Sequence, residues 1–82
     1  MLSVEINCYF GIPKSTSKKN KLLMLSHTIR PIKKPDLDNI AKICLDALNS
    51  LAYKDDSQVV DLIISKWHSN EPRVCIQITE VI

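Results

Sequence analysis

The chain has 82 residues, 45% of them apolar and 24% charged, which is too short for two independent cores and too apolar for wholesale disorder. Its longest apolar runs fall far below the roughly 20 residues that span a bilayer, and its single glycine excludes glycine-rich phosphate loops and dinucleotide fingerprints. The net charge of +2 is small but unevenly spread, and that unevenness bears on function.

Residues 3–10, SVEINCYF, alternate. Val4, Ile6, Cys8 and Phe10 fall on one face and Glu5, Asn7 and Tyr9 on the other, so a half-buried strand is predicted, stopped by Gly11 and Pro13. Glu5 and Asn7 also interrupt any reading of this stretch as a signal peptide. Residues 14–34 are polar and basic, with a short helix possible at 17–25, and Pro31 and Pro35 bracket an extended connection. The strongest element is DLDNIAKICLDALNSL, residues 36–51. At 100° per residue its apolar side chains fill one broad arc and Asp38, Asn39, Lys42, Asp46 and Asn49 the other, as in an amphipathic helix with Pro35 ahead of it and Asp36 at the N-cap. Residues 52–58 read as a turn, and 59–68, VVDLIISKWH, as a largely buried β-branched strand. After a turn at Asn70-Glu71-Pro72, residues 73–81 alternate again, with Val74, Ile76 and Ile78 on one face. Strands 59–68 and 73–81 are expected to form an antiparallel hairpin. The expected architecture is α+β: one domain over residues 1–82, with a small mixed or antiparallel sheet packed on one main amphipathic helix.

Cys8, Cys44 and Cys75 are odd in number and lack CxxC spacing, which argues against a disulfide scaffold or zinc knuckle and for a reducing, cytoplasmic setting. All three read as small core residues. His27 and His68 have no ligand spacing and read as loop and strand-end residues. Trp67 reads as a packing residue and Tyr53, beside Lys54, as a surface contact; an aromatic so placed can stack on exposed bases.

Residues 6–35 hold seven bases and no acid, whereas residues 36–82 hold four bases and eight acids. A basic arm on an acidic remainder suits a protein that grips a polyanion and also holds cations, although a solvated basic loop looks the same in sequence. Asp36 and Asp38 flank one leucine at the helix start, and Asp55 and Asp56 sit together in the following turn. Four carboxylates of this kind could gather hard oxygens around Mg²⁺, whose charge offsets their repulsion. Beside a basic arm, such a site suggests phosphodiester hydrolysis by metal-activated water, with Lys42, one turn after Asp38, reaching the phosphate. Each residue also has a plainer use. Asp36 could cap the helix, Asp38 and Lys42 could form an i,i+4 pair, and Asp55-Asp56 could be turn residues. An EF-hand loop is excluded, because counting from Asp36 puts Ala41 where glycine belongs and Ala47 where the bidentate glutamate belongs.

The strings KPDLDNIAKICLDALN, residues 34–49, and YKDDSQVVDL, residues 53–62, together resemble the RusA family of Holliday junction resolvases. The upstream IPKSTSKKNK and SHT and the downstream SNEPRV resemble it too, so the likeness covers nearly the whole chain. It implies a RusA-like fold and a homodimeric endodeoxyribonuclease that uses Mg²⁺ or Mn²⁺, without a small-molecule cofactor or membrane, to nick opposed strands of a four-way DNA junction. It places catalytic and metal-binding roles on Asp36, Asp38 and Asp56, a metal role on Asp55 and the catalytic lysine on Lys42. Lys14, Lys18, Lys19, Lys21, Lys33 and Lys34 fall in the basic region expected to contact DNA. Family members carry a further basic strand and a helix ahead of the stretch matching residues 3–10. The chain is thus expected to be short at its start, with one sheet edge left open. A catalytically silent DNA-binding or interaction remnant is the alternative function.

Helix geometry adds one more expectation. A helix over residues 36–50 would be about 22 Å long, while the five residues 51–55 reach back at most about 17 Å. Asp56 would then meet Asp36 and Asp38 either within one chain, by a tight return, or across a two-fold dimer with antiparallel helices.

Overall fold

The computed structural model of the chain describes residues 1–49, 51 and 56–82, with the side chain of Asp56 outside the description. The elements run β1 (Leu2–Phe10), α1 (Lys18–Leu25), α2 (Leu37–Leu48), a 3₁₀ turn (Asp56–Gln58), β2 (Val59–His68) and β3 (Arg73–Glu80). The class is α+β, as expected, and β1, α1, β2 and β3 lie within a residue or so of their predicted bounds. The main helix is shorter than the predicted 36–51 and ends at Leu48, with Asn49 extended at its C-cap.

Strand order corrects one expectation. β2 and β3 do not form a hairpin; β1 lies between them, giving the order β2-β1-β3. β1 pairs parallel with β2, from Leu2 opposite Val59 to Phe10 opposite His68. It pairs antiparallel with β3, from Leu2 opposite Glu80 to Tyr9 opposite Arg73. The physical reason lies in the link and in β1. Residues 69–72 contain no glycine for a tight primed turn, yet four residues reach at most about 14 Å, enough to cross the roughly 10 Å of two strand spacings. Val4 and Ile6, both fully buried, and Cys8, nearly so, make β1 the strand with most to gain from neighbours on both edges.

The crossing is held in place by its own polar groups. Ser69 N donates to Phe10 O at 2.9 Å, and the Arg73 guanidinium donates to Ser69 Oγ and Glu71 O at 3.1 and 2.8 Å. Gly11 follows β1 beneath it, where an added Cβ would stand 3.4 Å from Pro72 Cγ.

Ser17 caps α1, its hydroxyl accepting from Asn20 N at 3.2 Å, but no residue of α1 is buried. α2 carries the core. Ile40 is buried among Val4, Ile6 and Cys8, with Cys44, Leu48, Val59, Ile64 and Ile78 packed around them. Its apolar arc is wider than the contact it makes, because Leu37 and Ile43 remain exposed. The reading of three core cysteines holds for buried Cys8 and half-buried Cys44 but not for Cys75. That residue lies opposite Asn7 on the sheet face turned away from Val74 and Ile76, and is exposed. Burial raises the Cys8 and Cys44 thiol pKa values; at Cys8 the nearby Cys44 adds to the rise and Lys66 opposes it.

Candidate metal and nucleic-acid site

The chain leaves β1 at Phe10 and returns to the same end of the sheet before α2 begins. Arg30 Nε donates to Lys66 O at 2.8 Å and Lys66 Nζ to Lys33 O at 2.6 Å, which ties residues 30–33 to the end of β2. Pro35 shares a cavity wall with Tyr9, Phe10 and Arg73, so α2 starts near the end of β1 and the beginning of β3.

Asp36 takes the N-cap position with extended backbone (φ −70°, ψ 157°), and its carbonyl accepts from Ile40 N at 3.1 Å. Its carboxylate makes no capping hydrogen bond, so the plain capping use is not realised. Asp38 stands in the first turn, where the helix dipole favours a negative charge, and Lys42 follows one turn later; all three side chains are exposed.

The basic residues gather at the same end. Lys14 and Lys21 line a cavity of about 480 Å³ with Gly11, Asn70 and Pro72. Lys33 and Lys34 line a second cavity of about 440 Å³, beside Phe10 and His68. Lys18 and Lys19 are exposed on the first turn of α1. One end of the molecule thus combines an acidic helix start with a basic surround, as a site for a cation and a phosphodiester requires.

Asp56 is not brought to this end within one chain. It opens the 3₁₀ turn that leads into β2, and Val59 lies opposite Leu2, at the other end of β1. A 12-residue helix, about 18 Å long, separates Asp36 from the segment leading to Asp56. Asp55 and Tyr53 lie outside the described residues, and no cluster of three metal-binding side chains forms among those described. No helix among the described residues is long and apolar enough to cross a membrane.

Sequence reasoning missed the outer-face stack around Trp67. The Arg30 guanidinium lies 3.8 Å from the Trp67 ring centroid, His27 lies 4.6 Å away on the ring, and Trp67 Nε1 donates to Asn7 Oδ1 at 2.8 Å. His27 holds a left-handed backbone, φ 66°, just after α1. Spacing cannot reveal this group, because its members are brought together from a loop and two strands. The one usable signal was Trp67 in the outward phase of its strand, opposite Tyr9.

Comparison with known proteins agrees with the motif. The family model described as endodeoxyribonuclease RusA matches residues 1–79. The chain is 51% identical over 82 residues to the uncharacterized protein YqaN of Bacillus subtilis (strain 168), an alignment covering 98% of this chain and 58% of that protein. It is 39% identical over 82 residues to the crossover junction endodeoxyribonuclease rusA of Lactococcus phage r1t, covering 84% of this chain and 63% of that protein. The chain therefore spans less than two thirds of either relative. No solved structure matches it.

Proposed function

Because the chain belongs to the RusA endodeoxyribonuclease family, we propose that it acts on branched DNA as a divalent-metal-dependent nuclease that nicks four-way junctions in pairs. The observation that carries this reading is the uncapped Asp36 carboxylate beside Asp38, at the end of the sheet where Lys14, Lys21, Lys33 and Lys34 also gather. A carboxylate withheld from the helix it caps forgoes a stabilising bond of about 1 kcal/mol, which fits a second use for it.

The donor set fits a hard cation. Asp36 and Asp38 would hold Mg²⁺ or Mn²⁺ by carboxylate oxygen, with Asp56 and Asp55 as further ligands. When bound, the ion makes water a stronger acid and offsets charge on the phosphate. Lys42 faces the same side as Asp38 and would neutralise the charge that builds on the phosphate oxygens during attack. Lys14, Lys18, Lys19, Lys21, Lys33 and Lys34 would hold the arms of the junction by their phosphates and fix its orientation without reading sequence.

The separation of Asp56 from the start of α2 favours a site completed across a homodimer, with Asp56 of one protomer serving Asp36 and Asp38 of the other. Two such sites per dimer suit paired nicks. The test mixes Asp38→Asn and Asp56→Asn chains. Each homodimer should be inactive and the heterodimer should nick once, through its one intact site. Mixed dimers that form but never nick would remove the shared site. A single-chain site predicts that same silence.

A catalytically silent DNA-binding chain is the second reading, favoured if no dimer brings Asp56 to the start of α2, since within one chain the two stand at opposite ends of β1. Junction binding in Ca²⁺ followed by transfer to Mg²⁺ separates the two. Nicking abolished by Asp38→Asn supports the enzyme, whereas binding without nicking supports the silent form.

A further inference from the structure

We infer that the cavity between the residue 29–34 segment and the ends of β1 and β2 receives a single unstacked nucleobase of branched DNA. This deepens the nuclease reading above and rests on it. The cavity measures about 440 Å³, inside the range of roughly 300–1,000 Å³ typical of small-ligand sites. Its walls are mostly flat or apolar, from Phe10, Met24, Ile29, Pro31, Ile32 and His68. Arg30, Lys33 and Lys34 also line it. An apolar slot flanked by three cations and no acid suits a neutral ring attached to a phosphate chain. An apolar peptide segment would have no use for the cations.

His68 lines the slot beside Phe10 with its half-buried imidazole ring, a second flat surface for a base. Phe10, opposite His68 in the sheet register, offers a ring for stacking. The cavity lies at the end of the molecule where α2 begins, so a base held there would sit beside the proposed cleavage site and bear on which phosphate is presented to it.

The experiment measures binding by anisotropy in EDTA, so that cleavage plays no part. The probes are a labelled duplex carrying a one-nucleotide bulge and the same duplex with an abasic residue at the bulge. The base-bearing bulge should bind about tenfold more tightly. His68→Ala and Ile32→Glu should each bring that ratio close to one. Ile32 is 95% exposed, so the second variant leaves the fold intact, and any general electrostatic loss cancels in the ratio. A wild-type ratio near one overturns the pocket, as does a tenfold ratio that both variants keep. Four-way junctions are assayed in parallel. Junction nicking with a ratio near one removes the pocket and leaves the nuclease reading standing. A tenfold ratio without nicking does the reverse, and no binding to either bulged probe removes the pocket.

Discussion

The two outer strands of the sheet differ in pattern and in what covers them. β2 opens as a β-branched apolar run, β3 alternates apolar and polar residues, and both pair with β1. β2 is not the largely buried strand expected from its sequence, since Val60, Leu62 and Ile63 are exposed where no described helix lies over them. It nevertheless has Val59 and Ile64 packed on the core and its last five residues at least half-buried, with residues 30–33 tied to Lys66. β3 has only Ile78 packed in, while Val74 and Ile76 are 55% and 40% exposed on the face that β1 shares with α2. The 350 Å³ cavity between β3 and α2, walled by Val74, Ile40 and Ile43, is the gap left there. Apolar alternation therefore specifies a strand and its inward face, while coverage depends on where the one well-packed helix lies. α2 lies along β1 and toward β2, and it leaves the β3 side open.

The largest test of this contrast compares equal truncations on the centre and the edge. Ile6→Ala should cost about 3 kcal/mol in denaturant unfolding, because the residue is fully buried and its neighbours cannot close the cavity. Ile76→Ala, its cross-strand neighbour on β3, should cost about 1 kcal/mol or less. Equal losses would mean that β3 is covered after all. Next in size, Arg30→Ala removes a hydrogen bond to Lys66 O and a cation stacked on Trp67. It should cost about 1 kcal/mol and speed amide exchange at the end of β2 while leaving β3 unchanged. Equal acceleration in both strands would contradict a cover confined to β2.

The smallest effect is a pH dependence. Burial raises the Cys8 and Cys44 thiol pKa values, so folding favours their protonated forms. That contribution is complete below the unfolded thiol pKa, about 8.5, and is lost as pH rises from there through the folded values. Melting temperature should therefore begin to fall above about pH 8.5, and Cys44→Ala should flatten the fall. A slope unchanged by that substitution would assign the alkaline loss to other groups.

The elements were legible because their signals are local. The 3.6-residue spacing of Ile40, Cys44 and Leu48 marks α2, and the two-residue spacing of Val4, Ile6 and Cys8 marks β1. Strand order was not legible, since alternation names a face but not a neighbour, and residues 69–72 suit a crossing as well as a turn. Cys75 was misjudged for a related reason, being one step out of phase with Val74 and Ile76. Of the candidate site, the acidic helix start and the basic segment could be read in order along the chain. Their meeting at one end of the sheet could not, because the loop tied by Arg30 and Lys66 sets it. Neither could the His68 cavity, whose walls come from β1, α1, the following loop and β2.

The central place of β1 has a consequence for how the molecule is made. β1 must wait for both partners, because one follows after two helices and the other is the last of the three described strands. Among the described strands, β1 and β2 pair only across two helices and β2 and β3 do not pair, so this sheet closes through distant encounters, which are slow. Until then Val4, Ile6 and Cys8 stay in water on a nascent polypeptide, in the form most open to chaperones and to pairing with a neighbouring copy.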